Sequence, residues 1–265
     1  MLRDITIGQY YPVESLIHRR DPRLKILAVF GFVIVLFMID SLTNYAYAAG
    51  FIGLIIAASK VPLKYILKGL KPIFLIIFFT FTINMFLTRG EIIYKMGIFE
   101  ITREGLHQAV FMSLRLIFLI IGTSILTLTT SPIELTDGIE RLLNPFRKIG
   151  VPAHELAMMM TIALRFIPTI LEETDKIMKA QMARGADFES GNIVKRAKSL
   201  IPLLVPLFIG AFRRADDLAT AMEARCYRGG KSRTRMKQLK FNKGDFAGSI
   251  LTVLFYGYLV FLRIA

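Results

Sequence analysis

Five apolar runs separated by short charged connections limit what this chain can fold into: about Leu24–Ile39, Tyr45–Ala58, Leu70–Leu87, Leu106–Leu128 and Phe246–Leu262. A segment that crosses a hydrocarbon layer needs roughly 20 apolar residues. It must also satisfy its backbone N–H and C=O groups internally, which makes it a helix. The second run is of marginal length, and two tyrosines near its start, Tyr45 and Tyr47, suit an interfacial belt. Of the 265 residues 54% are hydrophobic and the mean hydropathy is +0.53, too apolar for a soluble domain of this size. The expectation is an all-α, polytopic membrane protein with about five transmembrane helices.

Charge is therefore informative by location. Arg20-Asp21-Pro22-Arg23-Leu24-Lys25 leads into the first run, with Asp21 placed to accept from free N–H groups and Pro22 suited to the first helical position. Lys60, Lys64, Lys68 and Lys71 occupy the next long connection without an acidic residue, whereas the loop from Arg89 to Glu104 balances three bases against three acids. The positive-inside rule makes the lysine connection and the N-terminus cytoplasmic and the balanced loop external. The first twenty residues are polar, so no cleavable leader is expected and the first apolar run serves as signal and anchor together.

Half of the formal net charge of +14 lies between Ser131 and Asp245. Pro132, Glu134, Asp137, Glu140 and Arg141 break the apolar pattern there, while Leu142, Leu143 and Phe146 leave a short amphipathic segment ending near Gly150. Val151–Leu171 contains His154, Glu155, Arg165 and Pro168. Ser199–Phe212 is short, holds Pro202 and Pro206, and is bracketed by cations. Both are expected to lie against the inner face, with Met158, Met159 and Met160 as flexible packing. The basic stretch Arg225–Lys243 directly precedes an apolar run, so contact with anionic headgroups is favoured over nucleic acid.

Within this region Ala183-Arg184-Gly185 is echoed by Ala224-Arg225-Cys226. The first copy closes a helical pattern: Glu172 with Lys176 and Asp175 with Lys179 are spaced i,i+4, cations gather in the last turns, and Gly185 supplies a left-handed exit. Each arginine can be read as a cap of its own helix or as a contact presented at the tip. The repetition, with Gln181-Met182 before one copy and Met222-Glu223 before the other, favours the second reading.

Catalytic signatures are sparse. There are three dispersed histidines, one cysteine, no GxxxxGK[ST] and no HExxH. Cys226 alone excludes an internal disulfide framework and a thiolate cluster, and points to a reducing compartment. Asp216-Asp217 could suggest a metal-binding pair, but Arg213 and Arg214 are close enough to be their partners. Arg115, inside the fourth run, marks either a transport path or a structural pairing with backbone carbonyls or Asn84, and the pairing is favoured. No metal site is expected.

Asp21-Pro22-Arg23-Leu24-Lys25, Leu164-Arg165-Phe166-Ile167-Pro168, Gln181-Met182-Ala183-Arg184-Gly185-Ala186 and Met222-Glu223-Ala224-Arg225-Cys226-Tyr227-Arg228-Gly229-Gly230 occur in this order. With this set the whole chain resembles the T component of energy-coupling factor (ECF) transporters, the group that includes CbiQ-type cobalt and nickel permeases. The resemblance implies a scaffold without an active site, joining two cytoplasmic ABC-type ATPases, identical or different, to a substrate-binding S component that imports vitamins or transition-metal ions.

It further implies that Arg184 and Arg225 enter grooves on the two ATPases, that ATP and Mg are bound by those partners, and that this chain holds no cofactor. Cys226 departs from the glycine of the first motif. The S component is expected on apolar faces at Met158, Met159 and Met160 and at Leu203, Leu204, Leu207 and Phe208. The implied organisation is 1–130 with four spans, 131–245 as a cytoplasmic coupling-helix region, and 246–265 as a last span with an external C-terminus. The competing readings are a membrane lipid or prenyl transferase using Asp216 and Asp217, and a solitary carrier with Arg115 in its pathway.

Overall fold

The structure is a computed structural model that describes residues 10–96, 99–188, 192–229, 239 and 241–264. It divides into two units, one of residues 8–138 with 239–265 and one of residues 139–238.

The first unit opens with α1 (Pro22–Met38), whose start follows the sequence expectation: the Asp21 carboxylate accepts from the Arg23 N–H at 2.9 Å and Pro22 takes the first helical position. A short turn leads to α2 (Leu42–Ser59), capped by the Ser41 hydroxyl. The lysine-rich connection, expected as a loop, is largely helical: α3 (Leu63–Leu70) continues through a single tight turn at Lys71–Ile73 into α4 (Phe74–Leu87). Pro72 fits because that turn needs no donor from it.

The balanced loop also carries unexpected structure, an antiparallel hairpin of β1 (Ile92–Met96) and β2 (Phe99–Thr102). Its β-branched and aromatic residues favour the extended state. Next comes α5 (Arg103–Thr129), with the Thr102 hydroxyl accepting from the Gly105 N–H at 3.1 Å. Gly105 permits a close crossing, since a Cβ there would lie 2.9 Å from the Met85 carbonyl and 3.0 Å from that of Asn84.

The last helix of this unit is α10 (Lys243–Ile264). Phe32, Val35 and Leu36 of α1, Tyr45, Ala48 and Ile52 of α2, Phe111 and Ile125 of α5 and Leu259 of α10 form its core. By contrast α4 buries no side chain at all, and Phe74 and Leu87 are 69% and 74% exposed. A predominantly apolar helix with side chains this exposed on its outer face requires a lipid solvent there.

At one end of this unit the core gives way to buried polar groups. The Lys25 ammonium donates to the Thr129 carbonyl at 2.8 Å, the Thr130 hydroxyl at 3.3 Å and the His18 carbonyl at 3.2 Å, tying α1 to the end of α5 and to the preceding segment. Asp245, only 2% exposed, accepts from the Asn242 N–H at 2.8 Å and from the Asp21 N–H at 3.4 Å, and lies 3.6 Å from Arg20. One carboxylate thus joins the starts of α10 and α1.

The boundary between the units falls within α6 (Pro132–Leu143), the expected amphipathic segment, which tightens through Asn144–Ile149 to left-handed Gly150. The second unit contains α7 (Ala153–Ala183), α8 (Ile193–Ser199) and α9 (Ile201–Ala224). The short apolar runs of the sequence reading are the first parts of α7 and α9, whose polar later turns extend the helices to 31 and 24 residues.

By length and composition five stretches can cross a membrane: Leu42–Ser59, Leu63–Leu87, Arg103–Thr129, Ala153–Ala183 and Lys243–Arg263. The number agrees with the expectation and the membership differs. The 17 residues of α1 span only ~26 Å at 1.5 Å each. Conversely α7, expected on a surface, is apolar and long enough to be among the five.

Candidate functional site

In the second unit α7 and α9 lie side by side and antiparallel. The Gln181 amide of α7 donates to the Pro202 carbonyl at the start of α9, at 3.3 Å. Midway, the Arg214 guanidinium pairs with the Glu173 carboxylate, both partly shielded. Past the far end of α9, the Tyr227 hydroxyl lies 3.3 Å from His154 Nε2 at the start of α7. The residue numbers rise on one helix as they fall on the other.

This register puts the two arginine motifs at opposite ends of the pair. Arg184 caps α7 beside the start of α9, and Arg225 caps α9 beside the start of α7. The 24 residues of α9 set the separation at ~36 Å. Ala183, Arg184, Gly185, Ala224, Arg225 and Cys226 are all exposed.

The two exits are built alike. After α7 the Ala186 N–H bonds the Gln181 carbonyl at 2.9 Å and the Gly185 N–H bonds that of Met182 at 2.9 Å. After α9 the Tyr227 N–H bonds the Met222 carbonyl at 3.1 Å and the Cys226 N–H bonds that of Glu223 at 2.8 Å. Both are Schellman exits, which satisfy the last free carbonyls and need a left-handed residue. Gly185 adopts φ +89°, and Cys226 adopts φ +56° although it carries a Cβ. The substitution that set the second motif apart leaves its exit unchanged. The last turn of neither helix carries a cation, so the arginines act from the cap position itself.

Behind the second tip, His154 Nδ1 lies 3.1 Å from Glu140, so α6, the start of α7 and the segment after Arg225 meet at one imidazole. No local spacing in the sequence relates these three residues. The Glu173–Arg214 pair was equally hidden, and it replaces the expected pairing of Arg214 with Asp216 and Asp217, both of which are exposed. Asp175 and Lys179 pair at 2.7 Å as expected.

The apolar residues singled out in the sequence separate. Met159, Met160, Leu204 and Phe208 are exposed, Met158 and Leu207 are half-buried, and Leu203 is buried at 6% exposure. The antiparallel register sets the methionines toward the Arg225 end and Leu203–Phe208 toward the Arg184 end, so they do not form one patch.

In the first unit Arg115 is paired as expected with a backbone carbonyl, and not with Asn84. It donates to the Ile39 carbonyl at 3.1 Å and the Tyr45 hydroxyl at 3.3 Å, and lies 4.0 Å from Asp40. The Asn84 amide instead donates to the Thr80 carbonyl. Arg263, from the end of α10, reaches the same Asp40 at 3.1 Å. Among the described residues no three His, Cys, Asp or Glu side chains come together as a metal site. Of the basic stretch, Lys231, Arg233, Arg235, Lys237 and Lys240 lie outside the described residues.

Residues 13–236 match the CbiQ family, described as cobalt transport protein. The chain belongs to that family. The CbiQ-family chain is also 65% identical over 253 residues to the energy-coupling factor transporter transmembrane protein EcfT of Thermosediminibacter oceani, covering 96% of each chain. It is 60% identical over 256 residues to the EcfT of Clostridium kluyveri, covering 96% of this chain and 95% of that one. To the EcfT of Bacillus subtilis it is 48% identical over 264 residues, covering 99% and 100%. CbiQ-family membership and the apolar helices together establish a multi-pass membrane component of an ECF-type transporter.

Proposed function

We propose that this chain is the non-catalytic coupling subunit of an ECF-type importer, transmitting motion from two cytoplasmic ABC-type ATPases to a membrane-embedded, substrate-binding S component. The observation that carries this reading is the pair of exposed arginines on matching helix exits at opposite ends of one antiparallel helix pair. Arginine holds carboxylates bidentately and stays charged at physiological pH, so each tip is suited to an acidic or carbonyl-rich groove. A separation of ~36 Å suits two partners or two halves of a dimer.

In this reading ATP and Mg are bound and used by the ATPases, and this chain holds no cofactor and contacts lipid but no nucleic acid. The N-terminus and the arginine tips face the cytoplasm and the C-terminus faces out. Closing and opening of the ATPase pair displaces the tips, and α7 and α9 carry the displacement to an S component resting on apolar surface near Met159 and Met160 or near Leu204 and Phe208. Substrate choice, a vitamin or a transition-metal ion, rests with that component.

The test replaces Arg184 and Arg225 by alanine, singly and together, and measures ATPase retention on purification and substrate uptake. Each single variant should weaken both and the double variant should abolish uptake. Normal assembly and transport by the double variant would overturn the assignment. Arg→Lys variants should rescue only in part, because an ammonium cannot form the two-pronged contact.

A further inference from the structure

Away from the arginine tips, the elbow between α2 and α3 combines an apolar groove with unpartnered positive charge. α2 ends at Ser59, fully buried, whose hydroxyl donates to the Ile56 carbonyl at 2.7 Å and accepts from the Val61 N–H at 3.3 Å. Val61 and Ile66 anchor the far side of the bend by packing with Leu128. The bend is thus held from both sides. Between these anchors the chain passes through Lys60 at φ +54°, a left-handed position that a residue with a Cβ rarely adopts. Its side chain is exposed.

An open groove of about 570 Å³ lies in the elbow, walled by Ile56, Ala57, Val61, Pro62 and Leu63 with Lys60 as its cation. Lys64 and Lys68 follow along α3 and Lys71 opens the tight turn after it, all exposed, as are Leu63 and Leu67 at 60% and 59%. The sequence holds no Asp or Glu between Asp40 and Glu91. Among the described residues no carboxylate lies within ion-pair distance of these lysines.

Depth selects the occupant. The helical run Leu63–Leu87 has 25 residues, ~37 Å, against ~30 Å of hydrocarbon, so its first turn reaches the headgroup boundary while the residues after it lie in the acyl region. An apolar protein helix would fill the groove but leave the lysines unanswered. A soluble acidic partner would answer the lysines but not reach an apolar wall at that depth.

We propose that this elbow is a binding site for an anionic phospholipid, its phosphate held by Lys60 and Lys64 with Lys68 and Lys71 nearby, and one acyl chain lying along Ile56, Val61 and Leu63. Lysine stems lie along apolar surface and lift the ammonium groups to the phosphates. Attraction of about 1 kcal/mol per lysine near an anionic surface gives a preference of roughly tenfold or more over a zwitterionic lipid. The site is independent of the coupling role proposed above.

The chain has no tryptophan, so Leu63→Trp creates a single fluorescent reporter in the groove. The full-length variant is titrated in mixed micelles with acyl-brominated phosphatidylglycerol or acyl-brominated phosphatidylcholine, and quenching is followed. Half-quenching should need roughly tenfold less phosphatidylglycerol. Replacing Lys60, Lys64, Lys68 and Lys71 by glutamine should remove the difference, and replacing them by arginine should keep it, which separates loss of charge from loss of fold. Equal quenching by the two lipids, or a preference that survives the glutamine set, overturns the proposal. So does shielding of the reporter from both lipids in the co-purified transporter, which would assign the groove to a protein.

Discussion

Cys226 stands where Gly185 stands, one residue past an arginine cap, and it makes the same left-handed turn at φ +56° where the glycine has +89°. The backbone bonds that close α9 are strong enough to hold a Cβ in a region that costs it roughly 1–2 kcal/mol. Cys226→Gly should remove that cost and raise stability by about 1 kcal/mol, read as a higher unfolding midpoint. Cys226→Val, branched at Cβ, should fray the end of α9, read as faster amide exchange at Cys226 and Tyr227.

Lys25 should be the most sensitive polar residue of the first unit. It is 9% exposed and satisfies two carbonyls and a hydroxyl drawn from two segments, the stretch before α1 and the end of α5. Lys25→Ala removes every one of those donors and leaves two carbonyls and a hydroxyl unanswered in a buried site. A loss of about 3–5 kcal/mol is expected, measured by unfolding in detergent. Lys25→Arg should recover little, because the planar fork does not match acceptors arranged around a point charge.

Glu173 and Arg214 join the middles of α7 and α9, and each side chain is about 30% exposed. Glu173→Gln and Arg214→Gln should each destabilise the pair, and the double variant should lose less than the sum. A double-mutant cycle should give a coupling of about 1 kcal/mol. A coupling near zero would mean that apolar contact alone holds the helices in register.

His18 makes the first unit sensitive to acid. Its ring lies 2.7 Å from the Ser15 hydroxyl and 3.0 Å from the Tyr11 carbonyl. Burial lowers its pKa below the ordinary 6.5, with nearby Lys25 acting in the same direction against the Tyr11 carbonyl. The unfolded chain therefore takes up the proton first. The contribution is complete above pH 6.5 and is lost as pH falls through that value toward the lower folded pKa. Unfolding midpoints measured from pH 7.5 down to 5 should fall, and His18→Gln should flatten that slope.

Features set by neighbours in sequence were legible before the structure. The apolar runs, the Asp21-Pro22 start of α1, the Gly185 exit and the Asp175–Lys179 pair each depend on a few adjacent residues, and each is present. Charge misled where it stood in for conformation. Lys60 to Lys71 read as a loop because four cations seemed to interrupt a helix, yet lysine is a good helix former and α3 carries two of them, Lys64 and Lys68, on exposed positions. The polar later turns of α7 and α9 were likewise separated from their apolar beginnings.

Pairings across long stretches of chain were not legible. Lys25 and Thr129 are 104 residues apart, and Tyr227 and His154 are 73 apart. Nothing in a single sequence relates such positions, because only the packing of the helices brings them together. The arginine motifs were visible as a repeat, whereas their placement at opposite ends follows from the antiparallel register.

That register has an electrostatic consequence. Each helix carries a partial positive charge at its start and a partial negative charge at its end, and α7 and α9 point opposite ways. Their dipoles largely cancel, with the negative pole under each arginine facing the positive pole of its neighbour. A helix pair arranged in this way has a small net dipole, so turning it in the field of a membrane costs little electrical work.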